Sequence, residues 1–158
     1  MTGWYALVDA AQDSELLPLI RRCKEQNCLF SGDVAPVLAA ASPHLVKLDE
    51  NEPLLQAWRE KGRGRHWGLF IEAELPLHPL RRHFKKFLNA KLPDGTVALF
   101  RFYDPRVFNT YIRACTPEEA GPWFDGVRQY SVEGEAGAIH NYRFRGGRLL
   151  DGDMPAGA

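Results

Sequence analysis

The stretch Val97-Ala98-Leu99-Phe100-Arg101-Phe102-Tyr103-Asp104-Pro105-Arg106-Val107 constrains the fold of this chain more than any other. Its first half is apolar at both alternating sets of positions and too short for a helix, the pattern of a strand buried on both faces of a sheet. Asp104 then offers a side-chain oxygen to the free amides of a new helix, and Pro105 suits the first helical position, where a missing N–H costs nothing. Val107, Phe108, Tyr111, Ile112 and Cys115 follow at helical spacing, so the helix packs one face back on the sheet. Arg101 is the exception inside the apolar run. A guanidinium keeps its charge, so it needs exposure or an acceptor such as Glu72, Asp9 or Asp104.

The same stretch carries a resemblance. With Leu80-Arg81-Arg82-His83-Phe84 and Trp67-Gly68 before it, Phe100–Val107 resembles the type VI secretion adaptor or effector-chaperone family, long catalogued only as a domain of unknown function. The likeness starts at Tyr5-Ala6-Leu7-Val8-Asp9-Ala10 and fades after about Tyr130, and several motifs keep the family's order and spacing. It implies an adaptor that holds a toxin effector and loads it onto a VgrG-type spike protein, with no cofactor and no catalytic residue. Many members continue into a further helical lobe; this chain reads as a short member lacking it.

Around that stretch the chain reads as one domain, residues 1–150, with a tail over 151–158 that has little to bury and is expected to be disordered. Trp4–Val8, Cys28–Phe30, His44–Leu48 and Trp67–Ile71 read as strands. Apolar spacing gives helices over Leu16–Cys23, over Leu54–Trp58 stopped by Gly62, and over Leu80–Ala90. Strand, helix and strand in succession imply right-handed crossovers. The expected fold is therefore α/β: a mixed, mostly parallel sheet with helices on both faces. Val34–Ser42 reads as a loop. Thr116-Pro117-Glu118-Glu119 is a capping box, and Val127–Val132 with Ala138–Phe144 forms a C-terminal β-hairpin at the sheet's edge.

Lys+Arg and Asp+Glu number 20 each, so no global charge favours a polyanion. The charges are nevertheless segregated: residues 1–58 hold eight acids and four Lys/Arg, residues 59–91 three acids and nine Lys/Arg. A polarised surface suits a protein partner. Arg81, Arg82, Lys85 and Lys86 on one helix, Arg63 and Arg65 in the preceding basic turn, and Tyr142 and Phe144 on the hairpin are the candidate partner-binding residues. Arg101, Asp104, Pro105 and Arg106 form a structural motif. An exposed hairpin edge would also permit self-association.

Two other functions compete. His83 and Asp104 could form an acid–base pair beside Arg82 or Arg106 in a small hydrolase-like enzyme. Arg63, Arg65 and the 81–86 helix could bind nucleic acid, although Lys61–His66 leaves a helix and enters a strand, the reverse of a phosphate loop. The cysteines Cys23, Cys28 and Cys115 are odd in number and lack zinc spacing, so no metal is expected. No apolar run reaches bilayer length and no leader precedes Trp4, which together point to a cytoplasmic protein.

Overall fold

The computed structural model describes residues 2–30 and 39–156. Its strands are β1 (Gly3–Asp9), β2 (Gln26–Cys28), β3 (Pro43–Lys47), β4 (Gly68–Ala73), β5 (Asn89–Lys91), β6 (Val97–Leu99), β7 (Val127–Glu133), β8 (Ile139–Arg145), β9 (Arg148–Asp151) and β10 (Met154–Pro155). Eight of them form one sheet in the order β10-β9-β8-β7-β4-β1-β3-β2, and β5 pairs only with β6. Every neighbouring pair is antiparallel.

This corrects the mixed, mostly parallel sheet with helices on both faces. The helices are few and short: α1 (Leu16–Arg21), α2 (Pro53–Ala57), α3 (Leu77–Lys85), α4 (Pro105–Ala114) and α5 (Pro117–Ala120). The reason for the error is physical. Continuous apolarity in a strand reports burial on both faces, which a parallel sheet often supplies but a covered antiparallel one supplies equally. β1 is such a strand, buried from Tyr5 through Asp9 between antiparallel neighbours.

Residues paired across strands share a face, so the register sorts the core into two clusters. Tyr5, Leu7, Leu69, Ile71, Tyr130, Val132 and Tyr142 face Leu80 and Phe84 of α3, Phe108 and Ile112 of α4, and Trp123. Ala6, Val8 and Val46 face Leu16 and Ile20 of α1, Leu54 and Ala57 of α2, and the indoles of Trp58 and Trp67. Farther along this second face the side chains turn polar. Gln129, Ser131, Asn141 and Arg143 are joined there by hydrogen bonds of 2.7–3.3 Å.

The central strand expected over residues 97–103 is not formed. Val97–Leu99 is a ribbon strand against β5, with Val97 66% exposed. Arg101–Asp104 closes a turn, Asp104 N–H donating to the Arg101 carbonyl at 3.1 Å. From that turn Phe102 and Tyr103 drop into the first cluster, Phe102 lying 5.0 Å from the Trp123 ring. The run is apolar because it feeds an aromatic core from a turn, which periodicity does not separate from a buried strand.

The helix expected over Leu80–Ala90 runs Leu77–Lys85, and Asn89 and Ala90 belong to β5, but the two capping signals hold. Asp104 Oδ1 accepts from Arg106 N–H at 2.9 Å with Pro105 in the first turn of α4, and Thr116 and Glu119 make the reciprocal capping box of α5. β7 and β8 pair as a hairpin, but β9 and β10 extend the sheet beyond it, so the hairpin is not the edge. The segment expected as a disordered tail supplies Asp151 to β9 and Met154–Pro155 to β10; residues 157–158 lie outside the described residues. Of the loop expected over Val34–Ser42, residues 34–38 lie outside them as well.

Candidate functional site: an aromatic cleft beside a basic turn

Beyond Ala57 the chain continues through a wide π turn, Trp58–Gly62, and Gly62 is required there: a Cβ would lie 2.6 Å from Trp58 Cδ1. The turn that follows takes left-handed backbone at Gly64 (φ 72°) and at His66 (φ 58°), the latter rare for a residue with a Cβ. It is pinned across the molecule by Gly64 N–H, which donates to Glu133 Oε1 at 2.6 Å at the end of β7. Between this turn and the sheet opens a cleft of about 460 Å³, walled by Trp58, Trp67, Phe70, Ile139 and Pro105.

The walls are rigid and apolar. Trp58 lies 4.4 Å from the Phe70 ring and 5.7 Å from Trp67, both between centroids. Trp67 is 1% exposed, yet its indole N–H has no hydrogen-bond acceptor among the described residues. Leaving a buried donor unpaired costs about 1–3 kcal/mol. Arg59 and Arg63 line the same cleft and are exposed. Other cations of the turn are matched: Lys61 Nζ is 2.8 Å from Glu15 and Arg65 Nη1 3.6 Å from Asp13. Arg59 and Arg63 have no ion-pair partner among the described residues.

The remaining sequence-derived site residues scatter. Arg81 is a tie rather than a contact surface, its Nε donating to the Cys28 carbonyl at 2.6 Å and Nη2 to that of Phe30 at 3.0 Å. Lys85 is engaged too. Arg82 and Lys86 remain exposed and flank a shallow depression with Asp125 and Pro79. Tyr142 is fully buried and Phe144 stacks on Phe124 at 5.7 Å, so neither serves as an edge anchor. Arg101, 49% exposed, donates at 2.6 Å to Asp9 Oδ2, which is wholly buried and also caps the turn after β1; this is one of the acceptors expected from sequence.

His83 and Asp104 do not make an acid–base pair. His83 Nε2 donates to the Trp123 carbonyl at 3.1 Å, and burial pushes the imidazole below its usual pKa despite that bond. Asp104 receives Arg106 Nε at 3.0 Å and Nη2 at 2.7 Å. Burial opposes its charge, but the Arg106 side-chain and backbone hydrogen bonds outweigh that and hold the carboxyl below the usual range.

The signs give an acid-lability prediction. A histidine with a lowered folded pKa stabilises above its unfolded value and loses that contribution as pH falls below about 6.5; a depressed carboxylate does the same below about 3.9. His44, whose pKa burial also lowers, adds to the first step. Urea melts at pH 7.5, 5.5 and 3.5 should show two successive losses. Asp104→Ala should cost about 1 kcal/mol through the lost cap and abolish part of the second loss. A stability that stays flat from pH 7.5 to 3.5 would refute the assignment.

A polar cluster escaped the sequence reading. Asp151 Oδ2 lies 2.6 Å from His140 Nδ1 and accepts from Arg113 Nη2 at 3.3 Å. Arg113 Nε donates to the Tyr142 hydroxyl at 3.0 Å, which donates to Asn109 Oδ1 at 2.6 Å. Its members come from α4, β8 and β9, so it latches that helix to the end of the sheet. No local motif announces residues 109, 113, 140, 142 and 151. Among the described residues, no group of three or more His, Cys, Asp or Glu is placed to hold a metal. The buried Cys23 thiol is pushed up to about 12, chiefly by burial and by the nearby Glu52, so it is no nucleophile. No helix among the described residues is long and apolar enough to cross a membrane.

A family model described as a domain of unknown function (DUF4123) matches residues 4–121, which include β1, the cleft's helical wall and the Asp104–Pro105 helix start. The chain belongs to the DUF4123 family. No curated protein and no solved structure matches it. In this DUF4123 chain the match spans Trp58, Arg59, Arg63, Trp67 and Phe70 but ends before β7 and β8, which close the cleft with Ser131, Glu133 and Ile139.

Proposed function

We propose that this chain is a type VI secretion adaptor that binds a toxin effector and carries it to a VgrG-type spike in the cytoplasm. The observation that carries this reading is DUF4123 membership over residues 4–121, together with the motifs Trp67-Gly68, Leu80–Phe84 and Phe100–Val107 that resemble the adaptor family. The surface agrees with such work. It offers two separate features to partners, the aromatic cleft and the Arg82/Lys86 depression, as a protein bridging two others requires.

The His83–Asp104 arrangement gives catalysis no support, since each group is engaged elsewhere. The basic-surface nucleic-acid reading loses much of its basis with Arg65 ion-paired and Arg81 bound to carbonyls. To test the proposal, the tagged chain is co-expressed with the toxins and VgrG-type spikes of the organism that encodes it. Both should co-purify with it, and deleting the chain's gene should stop toxin export. Export that continues undiminished would overturn the reading.

A further inference from the structure

We infer that the aromatic cleft is a peptide-docking site, taking an extended segment of a partner protein in which a large apolar side chain stands next to a carboxylate. The adaptor reading is needed only to say whose segment it is.

The chemistry of the cleft selects this occupant. Trp58, Trp67, Phe70 and Ile139 offer an apolar floor in a volume of about 460 Å³, enough for one or two side chains and too small for a folded domain. Ile139 is 56% exposed, an apolar group left in water at the cleft wall. An aromatic-walled cleft could by itself attract a cation, but unpaired Arg59 and Arg63 repel one and favour an anion. Glu133 at the same wall offsets one of these two charges, with Oε1 turned to the Gly64 N–H, and the lining keeps a net positive charge that still favours an anion.

The shape points to a chain rather than a compact small molecule. A second depression of about 280 Å³ adjoins the first and shares Leu55, Arg59 and Phe70 with it, with Trp4 and Leu48 beyond. Two compartments divided by a common wall suit successive same-side residues of an extended segment. The far rim holds Asp49 and Glu50, so the segment's carboxylate belongs at the Arg63 end. The turn that presents Arg63 is pinned to β7 at Gly64 and held in left-handed backbone at His66, which keeps ordering costs on binding low.

A random heptapeptide phage library selected on the full chain tests this. Enriched peptides should carry Asp or Glu within two positions of a large apolar residue. A synthetic peptide of the enriched sequence should quench the fluorescence of the cleft tryptophans. Its affinity should fall at least tenfold with Arg59→Glu plus Arg63→Glu, and also with Ile139→Asp. Arg59 and Arg63 are exposed, so the double variant should keep the wild-type melting temperature. Selection without acid preference, no selection, or a peptide indifferent to the double reversal would overturn the assignment. If such peptides are selected and lost on reversal while neither toxin nor spike binds the chain, the cleft assignment stands and the adaptor reading fails. If toxin and spike bind equally well after reversal and no peptide is selected, the cleft assignment fails alone.

Discussion

Trp123→Ala is expected to destabilise the protein by about 3–5 kcal/mol, the cost of removing a large fully buried aromatic from a packed core. Trp123 is 1% exposed and stacks on Phe87 at 3.9 Å, with Phe102, Tyr111 and Phe108 at 5.0, 5.5 and 5.8 Å. Its carbonyl accepts from the Tyr130 hydroxyl and from His83, so the residue joins α3, α4, the 100–104 turn and β7. Trp123→Phe should recover part of the loss, because an aromatic ring can still stack on Phe87 while the backbone acceptor is untouched. Urea denaturation with an unchanged slope is the measurement. A loss under 1 kcal/mol for the alanine variant would mean that this aromatic hub does not organise the core.

Gly68→Ala should be nearly as damaging, at about 3 kcal/mol, the upper end for overpacking. A Cβ at Gly68 would lie 1.7 Å from the Leu7 carbonyl oxygen and 2.8 Å from its carbon. The obstacle is backbone of β1, which is paired on both sides, so it cannot swing away as a side chain would. β1 and β4 would have to part beside the Val8–Gly68 pair, next to the Trp67 wall of the cleft. The variant should melt earlier and bind cleft ligands less well together. A variant with wild-type stability would show that the strands do not approach so closely.

The local chemistry of the fold was legible because it is written in neighbouring residues. Asp104 before Pro105, and Thr116 three residues before Glu119, are caps whose geometry depends on little else. That Arg101 needs an acceptor followed from a charge rule, which left Glu72, Asp9 and Asp104 open; the pairing with Asp9 came only from the fold. Strand direction was not legible, since burial on both faces leaves the same apolar trace in either kind of sheet. Nor was the place of residues 97–103, where aromatic residues reach the core from a turn.

The site was misread for a related reason. Arg81 and Tyr142 belong to patterns that look like display, a cationic helix and an aromatic hairpin, but long-range partners take both. Those partners, the Cys28 and Phe30 carbonyls and Asn109, are far away in sequence. The cleft had one local trace: Trp58 and Trp67 flank the glycines of the basic turn, marking a loop built against apolar walls. Reading that turn for its arginines, as partner-binding residues or as the reverse of a phosphate loop, passed over the tryptophans on either side.

Whether this DUF4123 chain bridges a toxin and a spike can be read by mixing the three purified proteins and measuring complex mass by light scattering. An adaptor gives one species containing all three, with toxin and spike failing to associate when the chain is left out. Toxin and spike that associate fully without it, or a chain that joins neither, would rule out the bridging role.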